Sequence, residues 1–298
     1  MKLFFSPYFL TKKNTTEKQE GVLVKCVDGF DWGVADVCPH LHLGDSSWKK
    51  EIVFEGPLFQ RALDLAQEDL NARKQKLSLL LDKPIANNYL ITDLAKSDLN
   101  NRIYTSHTVK VKGGRNFEEL AIALNAVTVD CKFRIDFNAQ LTGSQFEIFI
   151  KLLAESTKNK IQYIEDPTQD TSEWKKWNSE IPLASDFCDV GASSGKANFK
   201  VFKPSREKFD TSWTECIFTS AMDHPVGIAH GLRVAQQKAK HDSGFLTLDL
   251  YEENSFYKYF TQEEHLLNFS REALQDYGIG MTEQLQKLNW IERDGLSL

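Results

Sequence analysis

Short apolar runs alternate with segments of helical periodicity along most of the chain after Pro84. Helical segments such as "NFEELAIALNAV" and "GSQFEIFIKLLAEST" separate the earlier runs. The eight apolar runs are "NNYLITDL", "TVKVKGG", "FRIDFNAQ", "IQYIEDP", "IPLASDF", "FKVFKPS", "CIFTSAM" and "FLTLDLY". This alternation is typical of a parallel β/α barrel, so we predict an α/β fold with eight barrel strands. Some intervening segments are short, and we expect one or two barrel helices to be missing or trimmed.

The first part of the chain has a different pattern. In "GVLVKCVDGFDWGVADVCP" two apolar runs flank an Asp28-Gly29 turn, which indicates a pair of strands. The following "PLFQRALDLAQEDLNARKQKL" has apolar residues at helical spacing. We therefore predict an α+β domain over residues 1–83, a β/α barrel over 84–260, and a helix-rich segment over 261–298 that returns to the N-terminal domain.

Acidic side chains lie at the ends of three successive predicted strands. These are Asp136, Glu165 and Asp186. One acid at a strand end is usually a helix cap or a solvated loop residue. In a parallel barrel, however, the carboxyl ends of the strands meet at one mouth, where three carboxylates repel each other unless a cation lies among them. Oxygen ligands select a hard cation, so we predict one Mg²⁺ site.

Lysines flank this predicted metal site. Lys110 and Lys112 alternate with valines and share one face of a strand, which taken alone is typical of an exposed edge strand. The acids of the next strands favour the opposite interpretation, in which both lysines face the barrel mouth. Lys203, on the sixth predicted strand, would then lie across the metal from Lys112. This layout suits removal of a proton beside a carboxylate, with a lysine as base and the metal stabilising the resulting enediolate.

The composition indicates which binding partners and which cellular compartment to expect. The 298 residues carry a formal net charge of -6 and contain no apolar run long enough to cross a bilayer, so we expect neither a nucleic-acid nor a membrane partner. Five scattered cysteines without a C-x-x-C motif indicate buried thiols in a reducing compartment, and we expect a cytoplasmic protein. The expected partner is a small-molecule carboxylate, and the sequence indicates no oligomeric state.

Five motifs follow one another along the chain: Lys-x-Lys, Asp-x-Asn, Glu-Asp-Pro, a strand-ending Asp and a Lys. This series resembles the enolase superfamily, and within it the muconate-lactonizing-enzyme-like subgroup. The late "YGIGMTEQL" is similar to the Gly-x-Gly stretch after that family's barrel. The short chain, the Arg134-x-Asp136 pair and "FTSAMDHPVGIAHGLRVA" resemble the o-succinylbenzoate synthase family in particular. The chain departs from the pattern at Asp223 and His224, where small polar residues are more usual. The resemblance implies a modified TIM barrel with an N-terminal α+β capping domain.

The resemblance also implies a reaction. It is the Mg²⁺-dependent syn-dehydration of 2-succinyl-6-hydroxy-2,4-cyclohexadiene-1-carboxylate to o-succinylbenzoate, a step of menaquinone biosynthesis. In this reaction Lys112 would abstract the α-proton and return it to the leaving hydroxyl group. Lys203 would stay cationic and face the enediolate and the ring.

Further roles follow from the same resemblance. The three acids named above would bind the metal. Lys110 and Arg134 would help to hold substrate carboxylates. Asn138 and Asp166 would lie near the metal and orient its ligands.

Two alternatives share the same motifs. An N-acylamino-acid racemase or dipeptide epimerase would use Lys112 and Lys203 as paired acid and base groups. An epimerase that binds an α-ammonium group should carry an acidic pair at the end of the eighth strand, where "LTLDLY" offers Asp249 alone. A non-catalytic barrel would require the loss of a ligand or a lysine, and none is missing. The synthase is therefore the favoured hypothesis.

Overall fold

The N-terminal part of the chain forms an antiparallel sheet covered by helices. The fold is described here from a computed structural model that covers residues 1–91, 108–188 and 190–296. The N-terminal elements are β1 (Lys2–Thr11), β2 (Lys18–Asp28), β3 (Asp31–Val37), α1 (Trp48–Val53) and α2 (Pro57–Lys74). β2 lies between β1 and β3 and pairs antiparallel with both. The predicted α+β character of this part is thus present.

Helix α2 packs tightly on this sheet. Its apolar face, which includes Phe59, Ala62 and Ala66, is buried in one cluster with strand residues such as Val24. At Gly33 in β3, a Cβ atom would lie 2.1 Å from the carbonyl oxygen of Ala66. A side chain is therefore excluded at this position, and glycine allows the helix to approach the strand.

The middle of the chain forms the predicted parallel barrel. The elements of this part of the chain are β4 (Ile85–Ala86), β5 (Tyr89–Ile91), β6 (Thr108–Lys112), α3 (Phe117–Asn125), β7 (Lys132–Asp136), α4 (Gly143–Leu152), α5 (Glu155–Lys158), β8 (Ile161–Glu165), α6 (Trp174–Trp177), β9 (Leu183–Ser185), β10 (Phe199–Phe202), β11 (Cys216–Phe218) and α7 (Pro225–Lys238). Strands β5 to β11 pair in chain order as one parallel sheet. The first predicted run, "NNYLITDL", continues into residues outside the described ranges.

The two faces of this sheet have separate apolar clusters. Strand residues such as Val109, Val111 and Ile135 pack in the large cluster that also contains the helices. The opposite face carries a small cluster inside the barrel, formed by Tyr163, Ala184, Val201 and Ile217. Alternation along each strand therefore divides the side chains between the helix layer and the barrel interior.

The prediction of an eighth strand at "FLTLDLY" was wrong. Leu248–Leu250 is instead a short 3₁₀ helix. The sheet is closed just before it by two isolated parallel bridges, from Asn87 to Ser243 and from Thr219 to Gly244. The segment turns after these bridges because the backbone N–H of Thr247 donates back to the carbonyl of Phe245, 2.7 Å away. The alternating leucines thus belong to a turn and not to an eighth strand.

The expected trimming of barrel helices is confirmed. No helix lies between β10 and β11, where the structure describes every residue from 203 to 215. Between β9 and β10 the described residues form only a single 3₁₀ turn, Ala192–Ser194. In the described residues, these two connections therefore lack α-helices.

The last part of the chain contains more strand than the predicted helix-rich segment. Its elements are β12 (Phe260–Glu263), β13 (Leu266–Phe269), α8 (Arg271–Leu274), α9 (Thr282–Gln286) and β14 (Ile291–Glu292). β12 and β13 form a hairpin, and β13 also pairs with β4. Alternate apolar residues of β13, such as Leu267 and Phe269, are buried. β14 pairs with β1 of the N-terminal sheet. The limits of the three predicted domains stay predictions.

A buried acid of α2 holds this returning segment. The Asp69 carboxylate accepts the backbone N–H of Val34 and that of Ile279, each at 2.8 Å. It also binds Arg73, which donates to the carbonyl of Gly280. At Gly278 the φ of 61° and a Cβ position 1.8 Å from Asp69 Oδ1 exclude other residues. One carboxylate therefore joins the cap sheet, α2 and the C-terminal segment.

All five cysteines are buried thiols, as the sequence predicted. Among the described residues, every helix is too short or too polar to cross a bilayer. The buried apolar residues of the described part of the chain form three clusters.

Candidate active site

Strand alternation brings the predicted lysines and acids together at the barrel mouth. In the sheet register Lys110 lies beside Arg134, Lys112 beside Asp136, and Asp136 beside Glu165. The valines between the lysines face the helix layer and are fully buried. Both lysines therefore point into the barrel, and β6 is not an exposed edge strand.

Two ammonium groups lie against two of the three predicted metal ligands. Lys110 Nζ is 2.7 Å from Glu165 Oε2 and 3.0 Å from Asp136 Oδ2. Lys112 Nζ is 2.5 Å from the same Asp136 oxygen. Because Asp136 and Glu165 are almost completely buried, these ion pairs supply their compensating charge.

The third acid pairs with the lysine of the sixth strand. Lys203 Nζ donates to Asp186 Oδ1, and the two side chains are 23% and 22% exposed. Burial alone would lower the pKa of Lys203, but the nearby Asp186 and Glu165 carboxylates outweigh it and raise that pKa. These two carboxylates therefore favour the cationic form of Lys203.

The pKa values of the two central acids, Glu165 and Asp136, are shifted in opposite directions. Burial and the neighbouring Asp136 charge raise the pKa of Glu165 to about 8, although Lys110 opposes them. Burial also acts to raise the pKa of Asp136, but Lys110 and Lys112 outweigh it and hold that pKa far below its ordinary value. Lys110 keeps a raised pKa because the Glu165 and Asp136 charges exceed the effect of its own burial. Glu165 is thus the acid that most needs a further cation to stay ionised.

Asp166 lies behind the mouth and holds the next loop. Its carboxylate accepts the backbone N–H groups of Asp186, Phe187 and Cys188 at 3.1, 2.6 and 3.3 Å. Burial, with the Asp186 charge, raises the pKa of Asp166 to about 6. This geometry fits the predicted orienting role. Asn138 is exposed in a left-handed turn, and its backbone N–H donates to Asp136 Oδ1 at 3.0 Å.

Arg134 lies deeper than the other predicted residues. It is 0% exposed, and its guanidinium donates to Gln162 Oε1 at 2.8 Å and to Asn88 Oδ1 at 3.0 Å. It also lies over the ring of Tyr163. These contacts give it a structural role inside the barrel, and its predicted contact with a substrate carboxylate stays a prediction.

The donor set at the mouth fits a hard divalent cation. Asp136, Glu165 and Asp186 offer only carboxylate oxygens, which suit Mg²⁺. The ammonium of Lys110 already stands as a cation between two of them, at the distances given above. In this structure the positive charge between Asp136 and Glu165 is thus supplied by Lys110.

A second buried acidic group, which the sequence analysis did not identify as a site, lies where the cap meets the barrel. Ligand atoms of Asp36, Cys38 and Asp223 lie within 4.8 Å of one another. The two carboxylates accept hydrogen bonds from the Tyr8 hydroxyl and the Ser205 hydroxyl, at 2.7 and 2.9 Å. This group therefore links β1, β3 and the loop after β10. The unusual Asp223 in "AMDHPVG" was the one sequence signal for it.

Comparisons with known proteins settle the family. A family model for "O-succinylbenzoate synthase, N-terminal domain" matches residues 3–72. An o-succinylbenzoate synthase from Bdellovibrio bacteriovorus is 30% identical over an alignment of 333 positions that covers 98% of each chain. The chain belongs to the o-succinylbenzoate synthase family. This confirms the resemblance predicted from the motifs, and with it the assignment as a lyase-type enzyme of the enolase superfamily.

Solved structures confirm the fold of this family member. The o-succinylbenzoate synthase from Thermosynechococcus elongatus, complexed with Mg in its active site, has a TM-score of 0.63 at 17% identity and covers 85% of this chain and 95% of its own. A dipeptide epimerase from Cytophaga hutchinsonii, complexed with Mg and a dipeptide, has a TM-score of 0.75 at 15% identity and covers 98% of each chain. The modified TIM barrel with an α+β cap is therefore confirmed.

Proposed function

We propose that this enzyme is an Mg²⁺-dependent o-succinylbenzoate synthase. It dehydrates 2-succinyl-6-hydroxy-2,4-cyclohexadiene-1-carboxylate to o-succinylbenzoate and water, as a step of menaquinone biosynthesis. The observation that carries the proposal is the pairing of three strand-end acids with lysines from β6 and from the end of β10. The full-length relationship to a synthase supports the choice of substrate.

Asp136, Glu165 and Asp186 would hold the metal. When bound, Mg²⁺ would supply positive charge to these carboxylates and to the substrate carboxylate, where negative charge develops during the reaction. Asp166 would keep Asp186 in place through the three N–H groups that it accepts. Asn138 would fix Asp136 through its backbone N–H.

Lys112 would act as the base and then as the acid. As a neutral amine it would take the α-proton of the substrate, and the electron pair of that C–H bond would move onto the substrate carboxylate to form the enediolate. That pair would then form the new double bond of the ring as the hydroxyl leaves. The resulting ammonium gives a proton to the leaving hydroxyl as the C–O bond breaks, so water leaves and Lys112 returns to the amine. Because one residue does both, the hydrogen and the hydroxyl leave from the same face.

Lys203 would remain an ammonium on the opposite side. Its raised pKa keeps the charge that faces the negative charge of the reacting ring. Lys110 would hold a substrate carboxylate once its present partners, Asp136 and Glu165, are engaged by the metal. We further propose a cytoplasmic location, because five buried thiols suit a reducing compartment.

An epimerase is the second candidate, supported by the similarity in fold to the dipeptide epimerase. The predicted eighth strand itself contains Asp249 as its one acid, and the acidic pair that directly follows it, Glu252 and Glu253, is exposed. Asp249 is 70% exposed there and lies 3.7 Å from Lys13 Nζ. This position suits a surface ion pair more than recognition of an α-ammonium group.

Substrate screening separates the two candidates. Purified enzyme with Mg²⁺ is mixed with the cyclohexadiene substrate, and loss of its ultraviolet absorbance is followed. The same enzyme is incubated in D₂O with N-succinylamino acids and with dipeptides, and deuterium incorporation at the α-carbon is measured. Rapid dehydration with little exchange supports the synthase, whereas α-exchange without dehydration contradicts it and supports the epimerase or racemase.

A further inference from the structure

The sixth strand of the barrel has an unusual outer surface. No helix connects it to β11, since residues 203–215 form a loop, and a cavity of about 380 Å³ lies between this loop and the strands. The cavity is lined by Asp186, Lys200, Phe202, Glu207, Asp210, Trp213 and Cys216. One wall of the proposed active site thus lacks the usual support of a packed helix.

A buried lysine takes part of this space. Phe199 and Val201 of β10 pack with the cluster inside the barrel, so Lys200 points to the outside. Lys200 is nevertheless only 9% exposed. Its Nζ donates to the backbone carbonyl of Asp186 at 3.3 Å. A charge in this position is costly unless it is paired, and an apolar side chain would fill the same space without that cost.

Glu207 completes a connection between the two strand ends. Its Oε2 is 3.8 Å from Lys200 Nζ, and its Oε1 accepts the backbone N–H of Lys203 at 3.2 Å. The pair therefore contacts the backbone of Asp186 on one side and the backbone of Lys203 on the other. These are the two residues whose side chains pair at the barrel mouth.

We propose that Lys200 and Glu207 are positioning residues that hold Asp186 and Lys203 in place from outside the barrel, where a covering helix is missing. The proposal rests on the proposed roles of Asp186 as a metal ligand and of Lys203 as the fixed cation. Each positioning residue acts on the backbone that carries a functional side chain.

The test measures metal affinity directly. Mn²⁺ serves as the probe because oxygen ligands bind it as they bind Mg²⁺, and free Mn²⁺ is counted from its paramagnetic resonance spectrum. We expect Lys200→Met and Glu207→Gln each to weaken Mn²⁺ binding about tenfold or more, in the range usual for groups that orient metal ligands. The double variant should be no weaker than the worse single variant, since both residues belong to one connection.

The matched control is Lys176→Met. Lys176 also pairs with a glutamate, Glu147 at 2.6 Å, but its side chain is 68% exposed. This variant should bind Mn²⁺ as the wild type does. Melting temperature and circular dichroism are recorded for every variant. If Lys200→Met does not fold, Glu207→Gln decides the question, because it keeps the shape of the side chain and removes only the charge.

Unchanged Mn²⁺ affinity in folded Lys200→Met and Glu207→Gln would overturn the proposal and leave Lys200 a space-filling residue. A wild type that binds no Mn²⁺ would overturn both the metal site and the positioning role. A wild type that binds Mn²⁺ but does not dehydrate the cyclohexadiene contradicts only the proposed function, and the affinities of the variants still decide the positioning role.

Discussion

Lys110 has a different environment from its neighbour Lys112, although both point into the barrel. Lys110 lies between two buried carboxylates, whereas Lys112 contacts only Asp136 and its side chain is 37% exposed. Lys110 therefore neutralises the site in the absence of a metal, and Lys112 has the freedom to meet a substrate. The difference arises at the scale of single side chains, because the two lysines lie two residues apart along the same strand.

Removing the Lys110 charge should destabilise the metal-free protein. Lys110→Met leaves Asp136 and Glu165 without their shared cation, and we expect the free energy of unfolding to fall by about 3 kcal/mol, the lower end for a broken buried pair because Glu165 can take up a proton. Urea unfolding measures this. Millimolar Mg²⁺ should recover most of the loss, and a variant as stable as the wild type without metal would contradict this account of Lys110.

The residues of the proposed site were all identifiable from the sequence, because period-two alternation and strand ends are local features. The depth of Arg134 was not, since Asp136 and Arg134 share a face and differ only in their level along the barrel. The Asp36–Asp223 contact was also missed. It brings together residues 187 positions apart, of which only Asp223 lies in a segment that the sequence analysis singled out.

At the scale of elements, the local sequence pattern predicted the type of each element better than it predicted which strands pair. Seven of the eight predicted barrel strands form, but the eighth is replaced by bridges at Ser243 and Gly244. The leucines of "FLTLDLY" alternate as in a strand, yet tertiary hydrogen bonds decide the backbone: Asn87 Oδ1 accepts the N–H of Phe245 at 2.7 Å. That asparagine is far from the leucines along the chain, so the local sequence pattern does not indicate this hydrogen bond.

The start of helix α7 should give the enzyme a pH-dependent stability. His224 caps this helix, accepting the N–H of Val226 at Nδ1, and burial lowers its pKa from 6.5 to about 3. The unfolded chain therefore binds a proton that the folded protein excludes, and this contribution to stability is complete above pH 6.5 and falls as the pH decreases toward 3.

His224→Asn keeps a helix-capping side chain and removes the titration. Between pH 7 and pH 5 the variant should lose about 2 kcal/mol less unfolding free energy than the wild type. Chemical denaturation at the two pH values measures the difference for each protein. Equal losses in both proteins would show that His224 is not kept neutral in the fold.

At the scale of the whole molecule, the N-terminal sheet, helix α2 and the C-terminal segment are joined by few buried polar groups. The sequence indicated that the last segment returns to the N-terminal part, but not how. Asp69 makes the connection by accepting backbone N–H groups from Val34 and Ile279, which are far apart along the chain. Contacts of this kind depend on the assembled fold and leave no periodic signal.

Asp69→Ala should therefore destabilise the molecule strongly. It leaves two buried N–H groups and the Arg73 guanidinium without their acceptor, and we expect a loss of about 3–5 kcal/mol in unfolding free energy. The control is Asp28→Ala, which breaks the exposed pair with Lys74 and should leave the stability nearly unchanged. Similar losses in the two variants would show that Asp69 does not hold the segments together.

The central claim is that Lys112 is the base of a dehydration, and one comparison tests it most directly. Wild type, Lys112→Ala and the surface control Lys176→Met are each mixed with Mg²⁺ and the cyclohexadiene substrate, and the loss of ultraviolet absorbance is timed. We expect rapid loss with the wild type and the control, and a rate lower by about a thousandfold or more with Lys112→Ala. Dehydration by folded Lys112→Ala at the wild-type rate would contradict the role of Lys112, and no dehydration by the wild type would contradict the proposed function.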